Sequence, residues 1–222
     1  ARSGGGIVSH SVSHPVDWGG SRAAARAEAG QSRDWLAQRL GRDKPYAVSP
    51  FHQNSREAVQ GLAEAGLAAF VGGIIHNDPE FLFGRSGVVP FGSGLVSQSQ
   101  QCMLHGDCYH RAGHSLEVYR QAFTAHHAAR GLFGYLDHPQ SASYGYGWTG
   151  IEEQLAVHAE WLSFLAGYSL WRPNLTQALG FSVRKAGSMI RLDDSGRLSA
   201  QLGEGPDMPP LAASWRGGLH AL

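Results

Sequence analysis

Strand and helix signals alternate along most of this sequence, and that alternation restricts the fold more than any other feature. A short apolar run, Ile7-Val8-Ser9, is followed by Ser21, a good N-cap residue. The helix it opens carries Ala25, Ala29, Leu36 and Leu40 near helical spacing and stops at Gly41. Asn54, with Glu57 three residues on, predicts a second helix start, with Val59 and Leu62 turned inward and a stop at Gly66. Strand signals follow at Leu67 to Val71 and at Ile74-Ile75, and residues 76–113, rich in Gly, Ser and Gln, read as one long loop.

A helix from Ser115 to Gly131 places Leu116, Tyr119, Phe123 and His127 on one side, so His127 is expected to pack and His126 to face solvent. Leu132 to Leu136 reads as a buried strand delivering Asp137 and His138 at its C-terminal end. Thr149 with Glu152 forms a capping box, and the helix it opens has an apolar stripe at Ile151, Leu155, His158, Leu162 and Leu165, ending at Gly167. Alternating βα units argue for a parallel sheet or a barrel. Helical crossovers gather strand C-termini on one face, where barrel active sites sit. His10 and His138 both follow strand signals, so both are expected at that face. After about residue 180 the pattern changes: Met189 to Ala200 reads as a hairpin turning at Asp193-Asp194-Ser195-Gly196, and Trp215 lies in a further β-rich stretch. The expected organisation is an α/β domain over residues 1–180 and a small β appendage over 181–222.

Composition narrows the function classes. The 18 Lys and Arg balance 18 Asp and Glu, so no basic surface argues for nucleic acid or an anionic membrane. No apolar run reaches the roughly 18 residues of a membrane span. Cys102 and Cys108 are too widely spaced for a C-x-x-C element; a local disulfide and two free thiols both fit. Between them, His105 and Asp107 lie in a stretch read as a polar surface loop.

His10-Ser11-Val12-Ser13-His14-Pro15 carries the chemistry. Two imidazoles four residues apart, directly after a strand, begin a divalent-metal site; the same spacing also fits two surface histidines in a chain that has 12. Zinc, cobalt and nickel all suit His plus carboxylate ligands. Tyr146 and Trp148, in Tyr144-Gly145-Tyr146-Gly147-Trp148, fit a sugar-stacking wall and equally a rigid loop. His76 and Asp78, or His105 and Asp107, are further candidates.

The His10–Pro15 motif resembles the zinc-binding H-[ST]-x-x-H motif of NodB-type polysaccharide deacetylases, carbohydrate esterase family 4. Ser49-Pro50-Phe51-His52 resembles the family segment that walls the substrate groove, and Leu136-Asp137-His138-Pro139 its late motif carrying the catalytic acid. The likeness spans about residues 4 to 170. It implies a distorted or incomplete (β/α) barrel that hydrolyses N-acetyl groups on a polysaccharide or oligosaccharide, in bacterial envelope or extracellular-polysaccharide machinery. His10 and His14 would hold zinc, His138 would be the general acid, and Pro50, Phe51 and His52 would meet substrate. The family's Asp-Asp motif, source of the third metal ligand and the base, has no counterpart among Ala1 to Ser9, as though the sequence were cut after its first strand. Little deacetylase activity is therefore expected of the sequence as it stands. A non-catalytic carbohydrate-binding relative and another metal-dependent hydrolase are the competing readings.

Overall fold

Ser9 forms an isolated parallel bridge with Ala47, so the apolar run before His10 lies at the margin of a sheet. The computed structural model describes residues 5–41, 43, 45–74, 87–88, 94–100, 102–138, 146–203, 212–215 and 218–221. The architecture is mixed α/β, about 49% helical with small sheets, and none of the described sheets closes into a barrel. Two compact units form: Ala1–Gly72, Ser86–Gln98 and Pro173–Leu222 make one, and Gly73–Arg85 with Ser99–Arg172 the other.

In the first unit, β1 (Tyr46–Val48) pairs in parallel with β2 (Ala69–Ile74), and β3 (Gly87–Val88) runs antiparallel to β4 (Val96–Gln100), giving the order β1-β2-β4-β3. Alternating residues feed two cores, as expected of strands covered on both faces. Ala47 and Phe70 pack with Ala25, Ala29, Val59 and Leu62 of α1 (Arg22–Leu40) and α2 (Arg56–Glu64). Tyr46, Ala69, Val71 and Val96 pack with Leu179, and Leu175 and Val183 lie against them. Those three residues belong to a later helix, numbered α6 below. Gly61 permits the close approach of α1 and α2, because a Cβ there would overlap the Arg22 carbonyl oxygen and lie 2.7 Å from Ala25 Cβ.

The second unit holds β5 (Cys102–Met103), α3 (Gly106–Arg111), α4 (Glu117–Ala128), β6 (Tyr135–Leu136) and α5 (Ile151–Ala166), with β5 and β6 parallel. Its core is aromatic: Tyr119, Phe123, Trp148 and Trp161 pack with Leu104, Leu116 and Val157. After α5 the chain returns to the first unit through α6 (Leu175–Ala186), whose Asn174 and Gln177 form a capping box. Two hairpins follow, β7 (Met189–Leu192) with β8 (Leu198–Gln201) and β9 (Ala212–Trp215) with β10 (Gly218–Ala221). Among the described residues no helix is long and apolar enough to cross a membrane.

Several local expectations hold, and others are corrected. Ser21 caps α1 through Ala24 N–H, and Gly41 ends it in the left-handed region. Leu40 is exposed rather than packed. Ser55, not Asn54, caps α2, because the Asn54 amide is taken by Trp18, Ser49 and the Gly72 carbonyl. Residues 76–113 are not one loop: their described parts include β3, β4, β5 and α3. Of Leu132–Leu136 only Tyr135–Leu136 is a strand, and it is half-buried. His126, not His127, is buried, and its ring bonds the Ala122 carbonyl at 2.9 Å. Thr149 engages Glu153, one residue beyond the expected Glu152. The stripe of α5 is rotated: Gln154, Val157 and Trp161 are buried while Ile151, Leu155 and Leu162 are exposed. Cys102 and Cys108 are both free thiols, and burial pushes the Cys102 thiol up to about 12.

Candidate functional site

The first unit places His10 and Phe51 just beyond the C-terminal ends of adjacent parallel segments, Ser9 and β1. Ligands of open α/β sheets bind at that edge. The Val48 N–H donates to the Ser9 carbonyl at 2.8 Å, and His10 Nδ1 donates to the Val48 carbonyl at 2.8 Å. A carbonyl can only accept, so in the neutral ring Nε2 is the nitrogen with the lone pair. His14 Nε2 lies 3.1 Å from it. Two nitrogen ligands at 2.0–2.1 Å on a tetrahedral ion stand about 3.3 Å apart, so the pair is already spaced for one metal.

The loop between the histidines is fastened to α1. Glu28 accepts from Val12 N–H at 2.7 Å, Ser13 N–H at 3.0 Å and Ser13 Oγ at 2.6 Å. Partial burial opposes its ionisation, but those three donors outweigh it and hold the carboxyl below its ordinary value. The His14 ring meets Phe51 edge-on with centroids 4.7 Å apart, so the first two motifs converge. Beneath them, Trp18 Nε1 donates to Ser49 Oγ and Asn54 Oδ1 at 3.2 and 3.3 Å. Ser11, His14, Asp17, Trp18, Phe51 and His52 all have positive φ between 49° and 69°. Left-handed backbone at non-glycine residues costs energy and gathers at functional sites. Pro50 is fully buried, Phe51 is exposed and His52 is half-buried. Asp17 Oδ1 accepts the Ser55 N–H at 2.6 Å, a structural use of that carboxylate.

The second unit builds a polar cluster around Asp137 and His138, directly after β6. Asp137 Oδ2 accepts from His158 Nε2 at 2.7 Å and from Gln154 Nε2, and Oδ1 accepts from Trp148 Nε1 at 3.4 Å. Burial alone would raise this carboxyl, but the donors from His158, Gln154, the His138 backbone and Trp148 bring it to about 2. His138 turns the other way: its Nδ1 lies 2.8 Å from His105 Nε2, and its ring stacks on Tyr146 at 4.4 Å with planes 2° apart. His105 Nε2 also lies 4.0 Å from Asp137 Oδ1, so His105 links the two neighbours. Trp148 is buried, packed near Tyr109 and His158, and it positions the carboxylate. Tyr146 is 39% exposed.

Gly106 sets this arrangement. A Cβ there would strike the Trp148 nitrogen and the Gly147 carbonyl carbon, and the Asp107 N–H donates to the Tyr146 carbonyl at 3.2 Å. The close approach draws the Tyr146–Trp148 segment onto the turn that follows His105. His105, expected in a surface loop, is buried and occupies the N-cap position of α3. Gln154 and His158 are the residues that sequence reasoning left outside the site, whereas His105 stood among its further candidates. Their signal is positional: His105 follows a strand as His138 does, and Gln154 and His158 lie on one helical face.

A group of three candidate ligands also occurs in this unit: His110, His114 and Glu153 could hold a metal ion, their ligand atoms lying within 4.8 Å of one another. His10 and His14 belong to the first unit and His138 to the second. His76, Asp78, Pro139, Tyr144 and Gly145 fall outside the described residues. Asp107 pairs with Arg111 at 3.2 Å. No family model, curated protein or solved structure matches this chain.

Proposed function

We propose that this chain is a metal-dependent carbohydrate N-deacetylase-like hydrolase, built on an incomplete (β/α) barrel of the polysaccharide deacetylase type and acting on the amide bond of N-acetylated sugars in a polymer or oligosaccharide. The observation that carries the reading is the His10–His14 pair, with Nε2 atoms 3.1 Å apart and the His10 tautomer fixed by Val48. These two residues would hold a divalent ion, most simply zinc. When bound there, zinc supplies a Lewis acid for the acetamide carbonyl and lowers the pKa of its water toward about 7.

The remaining roles fall to side chains. In the resemblance His138 is the general acid, the proton donor to the departing amine nitrogen; in this chain its ring lies beside His105 and stacks on Tyr146 within the second unit. Asp137, held ionised by its donors, keeps His158 and Gln154 in place and stays out of proton transfer. Phe51 and Tyr146 offer exposed ring surface on which a sugar face can stack.

Acetate release from an N-acetylhexosamine oligomer, with and without added zinc, tests the proposal. The expected rate is slow, zinc-dependent and lost in His10→Ala and His14→Ala. His138→Ala should lower it about 10²- to 10⁴-fold with metal binding intact. A rate indifferent to chelation would overturn the reading. One observation favours a second reading, a carbohydrate-binding relative without catalysis: Phe51 and Tyr146 keep exposed aromatic surface. Oligomer binding without acetate release would select it.

A further inference from the structure

We infer that His110, His114 and Glu153 form a second divalent transition-metal site, distinct from His10 and His14. The ligands come from two places in the sequence, brought together by local backbone devices. His110 sits in the last turn of α3. Gly113 and His114 then adopt left-handed backbone, φ 72° and 56°, with Gly113 N–H donating to the His110 carbonyl at 2.9 Å and His114 N–H to the Tyr109 carbonyl at 3.1 Å. That reversal folds the His114 ring back to within 4.6 Å of the His110 ring. The left-handed Gly113 makes this an ordinary helix end, and its geometry is what brings the second imidazole beside the first.

Glu153 arrives from the first turn of α5. Its Oε2 accepts from Thr149 N–H at 2.8 Å and Thr149 Oγ1 at 2.9 Å, which aims Oε1 at His110 Nε2, 2.8 Å away. Such outer hydrogen bonds orient ligating carboxylates in known metal sites. The Tyr109 ring lies 5.9 Å from the His110 ring and 5.6 Å from the His114 ring, beside both imidazoles. His110 and Glu153 side chains are 24% and 22% exposed, so an ion has a path in.

The donor set of two imidazoles and one carboxylate is that of a zinc site that keeps one coordination position for water or a substrate. It suits zinc, cobalt and nickel over magnesium or calcium, which favour oxygen. The ligand atoms, within 4.8 Å of one another, need only small side-chain rotations to reach the separation of about 3.3 Å on a tetrahedral ion.

Zinc titration of the full chain against a chromophoric chelator tests this independently of the proposed hydrolase. The wild type should bind two ions, and the His10→Ala, His14→Ala double variant one. Adding His114→Ala to the double variant should remove that one. His114 is exposed, so its replacement leaves the core intact, and far-UV circular dichroism checks the fold. Thr149→Val, which keeps the backbone donor, should weaken the second ion about 10-fold. Ring-nitrogen NMR shifts of His110 and His114 on adding zinc give a readout that needs no variant. A double variant that binds no zinc, or an ion retained unchanged after His114→Ala, would overturn the site. A wild type that binds one ion and loses it on His114→Ala would support this site and refute the His10–His14 reading.

Discussion

Asp137 shows how far a single side chain's surroundings decide its state. Burial would raise its carboxyl from 3.8, yet the donors around it hold it at about 2. Because the folded value is depressed, its contribution to stability is present above pH 3.8 and is lost as pH falls toward about 2. After allowance for solvent screening that contribution is about 1–2 kcal/mol. Asp137→Asn should therefore lower stability by about that much at pH 7 and flatten its pH dependence between 4 and 2, as read from urea unfolding at a series of pH values. Glu28 acts on the metal pair without touching it. Glu28→Gln should leave His10 and His14 in place but loosen the Val12–Ser13 loop, weakening zinc binding about 10-fold in a competition titration. In both cases the residue type was visible in the sequence and most of its partners were not, since the side-chain donors lie 11 to 21 residues away for Asp137 and the donors 15 to 16 for Glu28.

At the scale of elements, two glycines set distances. Gly61→Ala would force α1 and α2 apart and should cost about 1–3 kcal/mol by overpacking, measured as a shift in the denaturation midpoint. Gly106→Ala would push against Trp148 and Gly147 backbone atoms, moving the segment that stacks Tyr146 on His138. It should depress acetate release while zinc binding at His10 and His14 is unchanged, and equal activity in Gly106→Ala would dismiss the positioning role. The helix α5 explains why some expectations failed. The predicted inward stripe is Ile151, Leu155, His158, Leu162 and Leu165; His158 and Leu165 do turn inward, but Ile151, Leu155 and Leu162 are exposed, and Asp137 draws Gln154 to the buried side instead. An ionised carboxylate with little exposure needs donors, and that requirement outweighs the apolar stripe. The same competition explains α2: Asn54 is drawn into the Trp18–Ser49 network, and Ser55 takes over the cap.

For the whole molecule, the cores are separate: Trp18, Phe70 and Leu62 pack in the first unit, and Phe123, Trp148 and Trp161 in the second. A lesion in one core should be felt first by its own amides. Asp137→Asn should reduce hydrogen-exchange protection in α4 and α5 more than in α1 and α2; uniform loss across all four helices would contradict that. Saturating zinc should raise the melting temperature, because a ligand at 100 times its Kd stabilises by about 2.7 kcal/mol. In the His10→Ala, His14→Ala variant part of that shift should remain, supplied by His110, His114 and Glu153.

The sequence by itself determined the mixed α/β class, the Ser21 and Gly41 boundaries of α1, and the turn of the β7–β8 hairpin. It also brought His10 and His14 within reach of each other. Each of these depends on residues close in sequence, where periodicity, caps and short loops act directly. Only the tertiary structure decided that Phe51 meets His14, that Glu28 ties down their loop, and that His105 and not Asp137 bridges to the His138 ring. The group of His110, His114 and Glu153 was likewise invisible, since Glu153 lies 43 residues from His110 and α5 had to present that face. Such choices follow from satisfying buried polar groups across long loops, a condition on the assembled core that no local window of residues contains.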